Sequence, residues 1–264
     1  MNKPETIYLL DYTPANHIVD KMDLTFDLYE DKTIVTSIMK IHKNPAAKDK
    51  KAPLIFDKDD YEITSVIADG MVLLPGEYES DKKYFKLNRT PDNFALEITS
   101  KIKPQENTSL EGLYKSGNIF CTQCEAQGFR KITPFPDRPD VMAVYSCTII
   151  ADKDSCPVLL SNGNPVDQGE LENNRHFVKW QDPFKKPSYL FALVAGDLEH
   201  IHDTFKTRSG RQVDLKIYSE KQNIDKCRHA MRSLKQAMKW DEDRFDLEYD
   251  LDLGQRGPRG IDVD

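Results

Sequence analysis

No run of this 264-residue chain approaches 18 consecutive apolar residues, so the sequence holds nothing that would cross a membrane as a helix. The opening Met1-Asn2-Lys3-Pro4-Glu5-Thr6 lacks the apolar centre of a secretory signal. The sequons at Asn88 and Asn107 are accordingly read as unglycosylated. A basic excess is missing too. With 44 acidic and 37 basic side chains the formal charge is −7, the wrong sign for a phosphate-binding surface. Nucleic acid and membrane are therefore set aside as partners. Five cysteines, at 121, 124, 147, 156 and 227, have neither an even count nor an export signal. They read as reduced thiols of a cytoplasmic protein. Repeats and low-complexity tracts are absent, as are the H-E-x-x-H, G-x-S-x-G, P-loop and G-x-G-x-x-G words of zinc, acyl-transfer and nucleotide chemistry.

What the chain does have is β-pattern, over a length that supports one large domain or two ordinary ones. Leu24, Phe26 and Leu28 alternate with Thr25, Asp27 and Tyr29. After Glu30–Lys32 the alternation resumes, with Ile34, Thr36, Ile38 and Lys40 set against Val35, Ser37, Met39 and Ile41. This predicts a hairpin. Further strand-like runs are Pro53–Phe56, Ile63–Ala68, Met71–Leu74, Tyr84–Leu87, Phe94–Ile98, Val141–Ile150, Val158–Ser161, His176–Trp180 and Tyr189–Ala195. Asp69-Gly70, Pro75-Gly76, Thr90-Pro91-Asp92-Asn93 and Ser161-Asn162-Gly163-Asn164 punctuate them. Short strands with regular turns predict a mainly β protein, an antiparallel sandwich or saddle over residues 1–196.

The character changes after residue 196. Thr204–Gly210 reads as a polar turn and Gln212–Tyr218 as a strand. Ile224–Asp243 is the first long helical pattern, with Cys227, Met231, Leu234 and Met238 on one stripe and Asn223 or Asp225 as candidate caps. Asp241–Asp252 then holds seven acids against one base, Arg244. Gly254–Gly260 carries three glycines and a proline, which reads as coil. A second domain thus begins at 197–253 and fails to arrive; the chain reads as cut short, with 254–264 an unstructured tail. The Met231/Leu234/Met238 stripe is expected to lie open.

The densest cluster of reactive side chains is Asn118–Arg130. Cys121-x-x-Cys124 has no second pair for a zinc ribbon and no strand–helix turn for a redox site, so buried free thiols are expected. Gln123 and Glu125, two apart on an extended segment, would face one way, and a carboxamide beside a carboxylate can hold an ammonium group. The plainer alternative is a solvated sheet edge. His200 and His202 are too few for zinc, and the acidic run lacks an EF-hand's spacing; both read as solvated surface.

A family resemblance rests on long ordered words. Asn107–Gly117 runs into Phe120–Arg130, followed by Asp137–Val141, Leu159–Asn164, Gly169–Asn173, Trp180–Phe184, Tyr189–Asp197, Thr207–Arg211, Met238–Glu242 and Glu248–Asp252. Over roughly residues 5 to 253 the chain resembles the N-terminal portion of the bacterial aminopeptidase N family, zinc-dependent alanyl aminopeptidases of the gluzincin class. The resemblance implies a β-saddle packed on a thermolysin-like catalytic domain, and a hydrolase of peptide catabolism that removes N-terminal residues. It implies a zinc held by H-E-x-x-H and a downstream Glu, with a general-base Glu and an oxyanion Tyr. It carries the family's amine-anchoring Glu onto Glu125 and its neighbouring Gln onto Gln123. The words for zinc, base and oxyanion have no match here. The expectation is therefore substrate-binding residues Glu125 and Gln123, no catalytic or metal residue, no zinc on this chain, and no activity alone. The partners implied are a peptide N-terminus and a complementary catalytic fragment. The other readings are a non-catalytic β-module that binds peptides or a partner, and a non-functional truncated product.

Overall fold

The structure, a computed structural model, describes residues 6, 8–49 and 51–257. The predicted hairpin forms from β1 (His17–Leu28) and β2 (Thr33–Lys43), with Phe26 opposite Val35 and Leu24 opposite Ser37. Met22, Leu24, Phe26 and Leu28 are buried on one strand, and Val35, Ser37, Met39 and Ile41 on the other. One face of the ribbon enters the core, as period-two alternation requires.

The chain continues through β3 (Leu54–Asp57), β4 (Glu62–Ala68), β5 (Met71–Val72), β6 (Glu79–Ser80), β7 (Tyr84–Leu87) and β8 (Asn93–Ile102). Next come β9 (Gly112–Ser116), β10 (Ile119–Gln123), β11 (Met142–Asp152), β12 (Val158–Ser161), β13 (Asn164–Leu171), β14 (Arg175–Pro187) and β15 (Leu193–Gly196). The largest sheet runs β13-β14-β11-β1-β2-β8-β4-β5, beside a four-stranded sheet β12-β15-β10-β9 and a three-stranded sheet β3-β7-β6. All their pairs are antiparallel except β1 with β11. One continuous apolar cluster fills the space between the sheets. Phe129 sits at its centre, with ring centroids 5.2 Å from Phe135, 5.4 Å from Phe191 and 6.1 Å from Tyr145.

A second apolar cluster lies beyond residue 198. Strands β16 (Glu199–Lys206), β17 (Gln212–Ser219) and β18 (Leu253–Arg256) form a small sheet, β18 running parallel to β17. Helix α1 (Cys227–Phe245) packs on it. Met231 and Met238 are buried against Val213, Leu215 and Ile217, with Leu234 and Cys227 at the margin. The stripe expected to lie open is therefore covered, because β16 and β17 already present an apolar face. Thr204–Lys206 belongs to β16 rather than to a turn, which is confined to Thr207–Gly210. Neither Asn223 nor Asp225 caps α1; both fall in a 3-10 turn, Lys221–Lys226, that precedes it.

The tail is also corrected in part. Residues 254–256 are strand, and Gly254 and Gln255 are buried. Gln255 Nε2 donates to the Ser161 carbonyl at 2.9 Å, and the Asp252 amide donates to Asn164 at 3.2 Å. These bonds fasten β18 to the first region. Residues 258–264 lie outside the described residues. Nor is the acidic run simply solvated. Buried Glu242 accepts the Arg208 amide at 3.1 Å, and Glu248 accepts the Ser209 amide at 2.7 Å.

Candidate functional site

Strand β10 brings the candidate residues to one end of the four-stranded sheet. It pairs with β9 on one side, Gln123 opposite Gly112, and with β15 on the other, Cys121 opposite Val194. Buried Thr122 locks it further, its Oγ1 accepting the Leu193 amide at 2.8 Å. Gln123 is the last strand residue and is exposed. The chain then leaves the sheet. Cys124 is buried, Glu125, Ala126 and Gln127 are exposed, and Gly128 and Phe129 are buried again. The Gly128 amide closes this turn on the Cys124 carbonyl at 2.8 Å, and the Glu125–Ala126 peptide is cis.

Glu125 thus sits on a turn, not on the extended segment that the spacing predicts. The two candidates still adjoin: Gln123 Nε2 donates to the Glu125 carbonyl oxygen at 3.3 Å. What brings them together is turn closure rather than strand alternation. The Glu125 backbone, not its side chain, takes the Gln123 amide, and the residue is exposed.

Close backbone approach holds the turn. A Cβ at Gly128 would lie 2.5 Å from the Gln123 carbonyl oxygen and 2.9 Å from the Gly112 nitrogen. Gly112 has φ +71°, and a Cβ there would lie 2.7 Å from Cβ of Lys131. Only glycine fits either place. The loop before β9 is organised by Asn107, whose Nδ2 donates to the carbonyls of Glu111 at 2.8 Å and Leu113 at 2.9 Å.

Beneath the turn lies a charged set that sequence reading did not single out. The Arg130 amide and Nε each donate to Asp137 Oδ2 at 3.1 Å, and its Nη1 lies 3.3 Å from Asp57 Oδ1. Asp137, 1 % exposed, also accepts Ser188 Oγ at 2.6 Å. The Asp137 amide donates to Asp57 Oδ2 at 3.2 Å. Burial pushes the Asp57 carboxyl up, and the Arg130 guanidinium pulls it back. No local pattern marks this set, because its members are about 50 to 80 positions apart from Asp57 and Ser188 and meet only in the fold.

Cys121 and Cys124 are buried and carry no disulfide. Burial pushes the Cys124 thiol well above its ordinary value. The His200 and Tyr218 rings meet tilted at 38° with centroids 5.1 Å apart, and His202 Nε2 lies 3.2 Å from Asp214 Oδ1. Among the described residues no group of three or more His, Cys, Asp or Glu side chains could hold a metal ion. These described residues do not fit a zinc site. No described helix is long and apolar enough to cross a membrane. A cavity of about 420 Å³ is lined by Tyr61, Lys101, Asn107, Leu113 and Lys131 but by neither Glu125 nor Gln123.

The arrangement is thus a carboxylate and a carboxamide beside an open, rigidly backed turn, suited to hold a cation. The chain is 49 % identical to "Aminopeptidase N" of Escherichia coli over 251 residues, 95 % of this chain and 28 % of that protein. It is 46 % identical to "Aminopeptidase N" of Caulobacter vibrioides, again over 95 % of this chain and 28 % of the relative. Among solved structures, an aminopeptidase A of Legionella pneumophila in complex with aspartic acid superposes with a TM-score of 0.89 at 35 % identity, covering 94 % of this chain and 29 % of that one. The chain therefore spans little more than a quarter of the length of these relatives and corresponds to their N-terminal portion. The family profile described as the peptidase M1 N-terminal domain matches residues 17–190, and this chain belongs to that family.

Proposed function

We propose that this chain is the substrate-amine-anchoring portion of a zinc-dependent aminopeptidase. The Glu125 carboxylate pairs with the free N-terminal ammonium of a peptide, and Gln123 takes a further hydrogen bond beside it. A carboxylate facing an ammonium makes an exopeptidase, because an internal peptide bond offers no cation to the site. The reading is carried by one observation: Glu125 and Gln123 stand exposed and adjacent on a turn whose flanks are buried and fixed. It is supported by 46–49 % identity to the bacterial aminopeptidases across nearly the whole chain. The domain division proposed is a β-saddle over 1–196 and the opening of a catalytic domain from 197. Zinc, its ligands, the general base and the oxyanion donor lie, in this reading, outside these 264 residues, on a complementary catalytic portion. The chain by itself binds no stoichiometric zinc, hydrolyses no alanyl anilide, and works in the cytoplasm.

The test is a hybrid enzyme in which residues 1–252 replace the corresponding part of the E. coli relative. Glu125→Ala there should lower kcat/KM by about thirty-fold to several thousand-fold, equivalent to ~2–5 kcal/mol for removing one partner of a desolvated charge pair. Melting should shift by no more than a surface change does, ~0.5 kcal/mol. A kcat/KM within about twofold of the parent, the range of a neutral surface substitution, removes Glu125 from the site. Gln123→Ala should cost less, ~1.5–3 kcal/mol for a hydrogen bond to a charged group.

A further inference from the structure

An anchor of one carboxylate is only as selective as its placement is fixed. Glu125, Ala126 and Gln127 are exposed, and among the described residues none bonds the Glu125 side chain. Its position must be set by the two points where the chain re-enters the protein. The first is Cys124, held by β10. The second is Gly128–Arg130, and here the structure does something unusual for a loop next to a core. It places a guanidinium, 25 % exposed, between two carboxylates contributed by different segments.

We propose that Arg130 is a positioning residue for the amine-anchoring turn, an inference that rests on the anchoring function proposed above. Four of its contacts converge. Its amide and Nε reach one oxygen of Asp137, its Nη2 reaches the Asp137 carbonyl at 3.3 Å, and its Nη1 reaches Asp57. Asp57 is the last residue of β3 and is itself bonded to Phe135 through both backbone groups, at 3.0 and 3.1 Å. Asp137 is tied to Ser188, which follows β14 directly. The fork therefore references the turn to the three-stranded sheet and to the largest sheet at once. Phe129, one residue earlier, fixes depth through the aromatic cluster, but a packed ring leaves sliding and rotation soft; directed charge-assisted bonds do not. Arg130 acts on the substrate only through the turn and touches no reacting atom.

A lysine can supply the charge but not the fork. In the full chain, Arg130→Lys should therefore speed amide exchange at Gly128, whose bond closes the turn, by about tenfold, the scale of losing one hydrogen bond to a charged group. Exchange at Leu24 and Ile149, in the centre of the largest sheet, should stay within about twofold because opening there is global. Asp57→Asn keeps an acceptor for the Asp137 amide and drops the ion pair, and should give the same pattern. It serves as the second variant should Arg130→Lys fold poorly. A merely structural Arg130 predicts equal acceleration at all three amides, and that result, or no change at any, overturns the proposal. In the hybrid enzyme Arg130→Lys should raise KM with little change in kcat, and its effect should vanish in a Glu125→Ala background. A neutral Glu125→Ala alongside selective loosening in the chain sinks the anchoring function and leaves the clamp standing. A damaging Glu125→Ala with uniform exchange sinks the clamp alone.

Discussion

In the region before Gly196, Phe26, Phe129, Phe135, Tyr145 and Phe191 lie in ring contact and are at most 3 % exposed. In the region after Leu198, the separate cluster has five buried side chains, Val213, Leu215, Ile217, Met231 and Met238, none aromatic, while buried Tyr218 belongs to the cluster of the first region. The first region is held by a core. The second compensates with directed polar links: Arg208 to Glu242 and Asp246, Ser209 to Glu248, Arg211 to Tyr249 and Leu251. Burial of apolar area grows with the size of a unit, so a small sheet under one helix gains little from it. The functional candidates sit in the strongly held region, where a turn can be fixed tightly enough to present one carboxylate.

The hardest way to break this contrast is at its centre. Phe129→Ala should destabilise the first region by ~3–5 kcal/mol. Urea unfolding followed by tyrosine and tryptophan fluorescence checks it, and a loss below about 1 kcal/mol, the ordinary single-site cost, would show that the aromatic cluster is not one cooperative unit. Met238→Ala, at 8 % exposure on the helix, should cost about 2 kcal/mol, the low end for a buried methionine, and its effect should stay local. Amides of α1 should exchange faster while those of β1 and β11 hold; if both accelerate together, the two regions unfold as one.

A pH titration sharpens the comparison from the other side. Burial, with Lys43 and His42 nearby, pushes His17 down to about 4, and its Nε2 meets Thr90 Oγ1 at 2.9 Å. Below the unfolded value near 6.5 the unfolded chain takes up a proton that the folded chain refuses. Stability of the first region should therefore be complete above pH 6.5 and fall as the pH drops toward 4, by at most ~1.4 kcal/mol per unit. His17→Gln should flatten that part of the profile, and an unchanged slope would refute the assignment. The smallest effect is expected at Lys239, paired with Asp243 on the exposed side of α1 at 2.8 Å. Lys239→Ala should cost under ~0.5 kcal/mol by thermal melting; a larger loss would mean that surface pairs, not the links to the 207–211 loop, hold the second region.

The same contrast governs what could be read from sequence. The β1–β2 hairpin was legible to its inward residues, because alternation and burial are one signal there. Strands β13, β16 and β18 were not, since most of their side chains are exposed or polar and pairing leaves no period. Helix α1 was legible through its stripe, but not the 3-10 turn that displaces its start. At the site, Glu125 and Gln123 came from family words and their local spacing, while the turn that carries them did not. It depends on Gly112, Gly128, Arg130, Asp57 and Asp137, and the reasons for those residue types lie across the fold. A glycine demanded by a neighbouring strand's carbonyl looks, in sequence, like any other glycine.

The parallel pairing of β1 with β11 joins Lys21 to Val144 and Asp27 to Ile150, partners 123 residues apart. At a synthesis rate of roughly 5–20 residues per second, β1 waits on the order of 6–25 s on the ribosome before the strand that covers its far side exists. Its partner β2 follows at once, and the far side of β2 is covered by β8 well before β11 is made, so the β1 edge stays bare the longer. A bare edge is a template for a second copy of the same ribbon. Along that edge the residues between the buried ones include Lys21, Asp23 and Asp27, and in the finished fold these charges are absorbed by Asp23 itself, Ser146 and Arg175. Before β11 and β14 exist, these charges have neither Ser146 nor Arg175 to meet, and charged side chains on a bare edge disfavour pairing with a second copy.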